Sequence, residues 1–152
     1  MRRLPEVQEA KELMNDAMEW STFKWLWEKK RVRETADRAN AALERLEKSI
    51  KAKWSNELKA AYKSACKKSG APRPETESQD PQLLQFVEKV LEADRAAHRA
   101  RMDAEDTFDV AEKQMNTSLA IAGCKKAIHS WELHEKAIRR AESVPTETRT
   151  AE

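Results

Sequence analysis

The 152-residue chain carries 29 Lys and Arg against 27 Asp and Glu, a formal net charge of +2, which excludes both a polycation drawn to nucleic acid along its length and an acidic tail. Charged residues make up 37%, glycine occurs twice, and the apolar 39% is low for a globule with a thick core, so one domain of long, solvent-washed helices is the expected class. The two cysteines, Cys66 and Cys124, match no metal or redox spacing and fit a reducing, cytoplasmic compartment.

The opening residues Arg2 and Arg3 are basic but lead into Glu6, Glu9 and Glu12, without the apolar run of a signal peptide. No stretch approaches the ~20 apolar residues needed to cross a bilayer. Between Pro5 and Gly70 there is neither proline nor glycine, and between Pro81 and Pro145 only Gly123 interrupts the run, which predicts two long helices over 5–69 and 81–144. The segment 70–80 collects the helix breakers and is the expected connection; residues 145–152 are the expected tail. Lys63, Lys67 and Lys68 suit the exposed carbonyls of the first helix, and Gly70 suits its left-handed cap. Asp80 is the N-cap of the second, with Pro81 at its first position.

The expected fold is therefore all-α: a long antiparallel, coiled-coil-like hairpin in one domain over 1–144, pairing into a four-helix bundle by dimerisation. Folding about the loop centre places residue i near residue 151 − i. A small-residue seam on the second helix (Ala93, Ala97, Ala100, Ala104, Ala111) then meets bulk on the first (Leu43, Leu46, Ile50, Trp54), and farther out Met115 meets Ala36, Ile128 meets Phe23 and Trp131 meets Trp20. Breaks at Ser21-Thr22, and at Thr117-Ser118 or Gly123, would instead fold the rod into a shorter bundle.

Three of the five tryptophans fall within Trp20 to Trp27. At about 100° per residue, Leu13, Ala17, Trp20, Phe23 and Trp27 share one face, while Met14, Met18, Trp25 and Val32 form a second stripe. One hairpin covers only the first, so the second is the expected partner-binding face, for a second copy or another helical protein. Lys48, Lys51, Lys59, Lys63 and Lys67, interleaved with Trp54 and Tyr62, make a candidate anion-binding stripe and supply the alternative reading, an accessory protein on nucleic acid.

Asp103, Glu105, Asp106, Asp109 and Glu112 read as a solvated acidic face that attracts Arg38 and Arg45. Helical di-metal sites need Glu-x-x-His pairs, and here Arg95, Lys126 and Trp131 stand three residues before His98, His129 and His134, so no metal site is expected. Neither a Gly-rich phosphate loop nor a nucleophile elbow occurs. The sequence points to a non-catalytic structural or protein-interaction module without cofactor, self-associating through its Trp/Met-rich face.

Overall fold

The computed structural model describes residues 4–67 and 80–145, and in them the chain is all-α. The described residues form five helices, α1 (Pro5–Ala17), α2 (Thr22–Ala52), α3 (Asn56–Lys67), α4 (Pro81–Gln114) and α5 (Thr117–Glu142). The expected break between halves holds at its described edge: Asp80 accepts from the Gln82 backbone N–H at 3.0 Å, and Pro81 opens α4. Gly70 and Lys68 lie outside the described residues.

Neither half is one continuous helix. The first is interrupted at 18–21 and 53–55, and the second at 115–116. Each interruption is made by a side-chain cap and not by glycine or proline. Ser21 Oγ accepts from Lys24 N–H at 3.2 Å, Ser55 Oγ from Leu58 N–H at 3.1 Å, and Asn116 Oδ1 from Leu119 N–H at 3.2 Å, each satisfying the third backbone donor of a new helix. At the first break Trp20, just before the cap, packs edge-on against Trp25 with ring centroids 5.3 Å apart, a hydrophobic staple that fixes the entry of α2. At the third, Met115 takes the left-handed conformation (φ 49°) and its N–H returns to Ala111 and Glu112, so the chain reverses in two residues.

That reversal changes the topology. Asp103 pairs with Lys126 at 3.2 Å, and the Phe108 ring lies against Gly123, so α4 and α5 run antiparallel in close contact. The small residues of α4 expected to receive the first helix receive α5 instead, which answers with Ala120, Gly123, Cys124 and Ala127, all buried. The antiparallel relation of the first helix to the second survives between α2 and α4, at a different register. Arg33 meets Glu112, Glu44 meets Arg101 and Lys51 meets Asp94, pairs whose numbers add to 145 in place of 151.

Beyond Asn116 the expected pairing fails, because α5 runs alongside α2 in the same direction. Trp131 Nε1 donates to Asn40 Oδ1 at 3.0 Å and not toward Trp20, and Phe23 and Met115 stand in solvent. Helix α1 packs against both α2 and α5, tied by Lys11 to Glu135 at 2.8 Å. The main core gathers Leu13, Met14, Val32, Leu43, Phe108, Trp131 and Ile138. A second core under α3 centres on Trp54, whose indole N–H donates to the Ala141 carbonyl at 2.9 Å and whose ring meets Tyr62 and Phe86 edge-on. Thus one chain encloses within itself the layers that the open hairpin would have needed a second chain to supply.

Candidate interaction surface

Met14, Trp25 and Val32 are 0%, 7% and 0% exposed and Met18 is half-buried, so the stripe expected to bind a partner is core of its own chain. The face assigned to the hairpin interior is outside: Phe23 is 69% and Trp27 75% exposed. The inversion has a geometric cause. A constant 100° step from Leu13 to Val32 assumes one helix, and the turn at 18–21 resets the phase, so Trp25 and Val32 point to the core of α2 while Phe23 and Trp27 turn away from it.

The described residues expose six large apolar side chains: Phe23, Leu26 and Trp27 on α2, Met102 and Val110 on α4, and Met115 after it. Stepping 100° per residue from the α2–α4 ion pairs places Phe23, Trp27, Met102 and Val110 on the side of the α2/α4 pair turned away from α5. Phe23 and Trp27 stand one turn apart, their centroids 6.2 Å from each other. Exposed Lys24, Lys29, Lys30 and Arg31 surround them, and Lys24 lies over the Trp20 ring at 5.1 Å. Along α4 the same surface is acidic, through exposed Asp103, Asp106 and Asp109.

Between the two helices opens a crevice of about 50 Å³ walled by Trp25, Leu26, Val32, Phe108, Ala111 and Ala120. Arg33 guards it, bonding Asp109 at 3.0 Å and Glu112 at 2.9 Å. Burial pulls the guanidinium down, but these carboxylates outweigh it and hold the pKa above its ordinary value. The Trp25 indole N–H is buried without a hydrogen-bond partner among the described residues.

The acidic face does not recruit Arg38 and Arg45 as expected. Those residues turn to Glu9 and Glu6 of α1, while Arg33 takes Asp109 and Glu112, and Lys126 takes Asp103. The register difference explains it, since α2 is displaced along α4 from the assumed position. Asp106 has no ion pair among the described residues.

The lysine stripe does not exist as a continuous track. Lys48 is exposed on α2, Lys59, Lys63 and Lys67 are exposed on α3 beyond the break at 53–55, and Trp54 between them is buried. Lys51 is inside. Its ammonium donates to Glu47 Oε2 at 2.7 Å, Asp94 Oδ2 at 2.8 Å and Tyr62 Oη at 2.9 Å. Tyr62 also donates to Asp94 Oδ2 at 2.5 Å, and His134 Nε2 lies 3.0 Å from Glu47 Oε1.

This five-residue cluster joins α2, α3, α4 and α5 and was not read from the sequence, where its members lie on four separate stretches. Its electrostatics are those of a closed network. Burial alone would raise Glu47, but hydrogen bonds from His134 and Lys51 overcome it and hold the carboxyl at about 2. Burial raises Asp94, whose Oδ1 has no partner. Burial would lower Lys51, but its two carboxylates and Tyr62 raise it, so the ammonium stays charged. Glu47 Oε2 and Asp94 Oδ2 are already engaged with the Lys51 ammonium. The arrangement fixes helices in register. Among the described residues, no three His, Cys, Asp or Glu side chains are disposed to hold a metal ion, and no helix is long and apolar enough to cross a membrane.

Comparison with known proteins places the chain beside none of them: no family model matches it, and neither a curated protein nor a solved structure does.

Proposed function

We propose that the chain is a non-catalytic helical interaction module that self-associates, through the face formed by the start of α2 and the second half of α4. One observation carries the reading. All six exposed large apolar side chains of the described residues fall on the start of α2, the second half of α4 or the residue after it, and four of them share the side turned away from α5, where the α2 stretch is basic and the α4 stretch acidic. Apolar side chains scattered singly need no explanation, whereas a concentration of this kind marks an interface. The opposite charges select a second copy as occupant. Laid across this face, it brings Phe23, Trp27 and the cations beside them over Met102, Val110 and Asp106 of its neighbour, and receives the same contact in return. Fully burying one such side chain is worth about 1.5–3 kcal/mol. Covering the exposed parts of four on each copy is of the order required against the roughly 4–15 kcal/mol cost of association.

Light scattering and sedimentation at micromolar concentration test this directly. The chain should be a dimer, and Trp27→Glu should make it a monomer with unchanged helix content, because Trp27 is 75% exposed and stabilises little within one chain. A monomeric parent chain at 100-fold higher concentration would end the proposal. Nucleic-acid binding draws less support, because Lys51 is neutralised by two carboxylates and the remaining lysines lie on two helices.

A further inference from the structure

The end of the bundle opposite this face carries a second feature, independent of self-association. Where the first third of α4 runs beside the last third of α5, the two helices leave a groove of about 530 Å³ bordered by Lys89, Lys136, Arg139 and Arg140, continuous with a second hollow of about 360 Å³ over Ala93, Ala96 and Leu133. Lys89, Lys136 and Arg140 border both. All four cations are exposed, and none has an ion pair among the described residues. Arg139 and Arg140 alone would be ordinary, because the last turn of a helix favours positive charge. Lys89 lies well inside α4, and Lys136 is more than a turn from the end of α5, so the helix dipole does not account for the set.

The groove has a carbon floor. Half-buried Ala93, Ala96 and Leu133 line it above the buried Phe86 and Val90, the alanines keep α4 thin enough to leave the hollow, and exposed Glu92 is the one acid among four cations on its rim. Along α4 it extends from Gln82 to Ala96, about 21 Å at 1.5 Å per residue, or four helical turns. Its cations are distributed along that length on two helices, which suits carboxylates spaced along a chain. A long phosphate backbone fits less well. It would leave the apolar floor unused.

We infer that this α4/α5 groove is a docking site for an acidic amphipathic peptide segment of a partner protein, its apolar side chains on Ala93, Ala96 and Leu133 and its carboxylates on Lys89, Lys136, Arg139 and Arg140. This is the helix-in-groove mode of recognition with the charge supplied by the rim.

Fluorescence anisotropy on the full chain tests it. The probes are a labelled 18-residue amphipathic peptide with leucine on one face and glutamate on the other, the same peptide with glutamine for glutamate, the same with serine for leucine, and a 20-nucleotide single-stranded DNA. The acidic amphipathic peptide should bind, and both altered peptides should bind at least about tenfold more weakly, because charge and apolar contact are both used. Lys136→Glu with Arg140→Glu should abolish binding, and the milder Lys136→Gln with Arg140→Gln should weaken it about tenfold. Lys59→Glu with Lys63→Glu on α3 should leave it unchanged. Helix content of each variant is checked in parallel. Absence of peptide binding, equal binding by the groove variants, or DNA bound as tightly as the peptide would each overturn the assignment. Trp27→Glu should bind the peptide as the parent chain does, so that loss of self-association is read separately.

Discussion

A β-carbon added to Gly123 would stand 2.8 Å from Cδ1 of Phe108 and 2.9 Å from Cε1, closer than carbon atoms tolerate. Gly123 lies inside α5, where alanine would ordinarily favour the helix by up to about 1 kcal/mol. Here the residue's function is proximity, because α4 and α5 approach through it and Phe108 fills the space left by the missing side chain. Gly123→Ala should therefore lower stability, with an overpacking cost of about 1–3 kcal/mol exceeding the gain in propensity. Thermal unfolding decides it: a melting temperature above that of the parent chain would mean that Phe108 moves freely aside.

Met115, at the reversal between α4 and α5, is a non-glycine residue in the left-handed region. It is also 67% exposed on the proposed interface. Met115→Gly should thus act in opposite directions on two measurements. It should raise monomer stability by about 0.5–1 kcal/mol by removing the steric penalty, while weakening self-association in sedimentation. A variant that associates as tightly as the parent would take Met115 out of the interface.

Charge pairing between copies can be read by exchange. Lys30→Glu and Asp106→Lys, each at an exposed residue without an ion pair among the described residues, should each weaken the dimer by about tenfold through like-charge contact. The double variant should recover part of the loss. Additive weakening would show that the two side chains never meet across the interface.

Glu47 gives stability a defined pH dependence. Its folded-state pKa of about 2 lies below the ordinary 4.5, so its contribution is complete above pH 4.5 and is lost as pH falls toward 2. Asp94, raised by burial, works in the reverse sense and offsets part of it: its ionisation costs stability as pH rises through its own folded value. The stability difference between parent and Glu47→Gln in urea unfolding should be largest at neutral pH and shrink between pH 4.5 and 2. A difference that does not change with pH would remove Glu47 from the network as an ionised partner.

The two thiols should separate cleanly. Cys66 is exposed on α3, whereas Cys124 is buried and its pKa is pushed up to about 12 by that burial. An aromatic disulfide reagent at pH 8 should titrate one thiol per native chain and two in denaturant. Rapid reaction of both in the native protein would show that α5 opens readily.

The sequence alone determined that the protein is helical, that the breaker-rich segment separates two halves, and that Asp80 and Pro81 start the second. Each of these rests on local chemistry: the absence of proline and glycine, apolar spacing, and a cap that bonds two residues away. It also named the antiparallel sense of α2 against α4 and placed the buried alanines Ala97, Ala104 and Ala111 on one seam. What it left open was where the long helices stop. Ser21, Ser55 and Asn116 each carry a capping side chain in sequence, but each could equally have remained inside a helix with its side chain in water, since a cap is worth only about 0.5–2 kcal/mol. Tertiary packing decided between these, because breaking at Asn116 lets α5 bury Cys124, Trp131 and Ile138 against α1 and α2, a gain of several side chains at about 1.5–3 kcal/mol each. Once the chain turned there, everything that depended on one continuous phase changed with it: Met14, Trp25 and Val32 became core, Phe23 and Trp27 became surface, Lys51 joined Glu47, Asp94, Tyr62 and His134, and Lys89 came to face Lys136 across a groove. Those relations join residues far apart in sequence, and no periodicity within one segment encodes them.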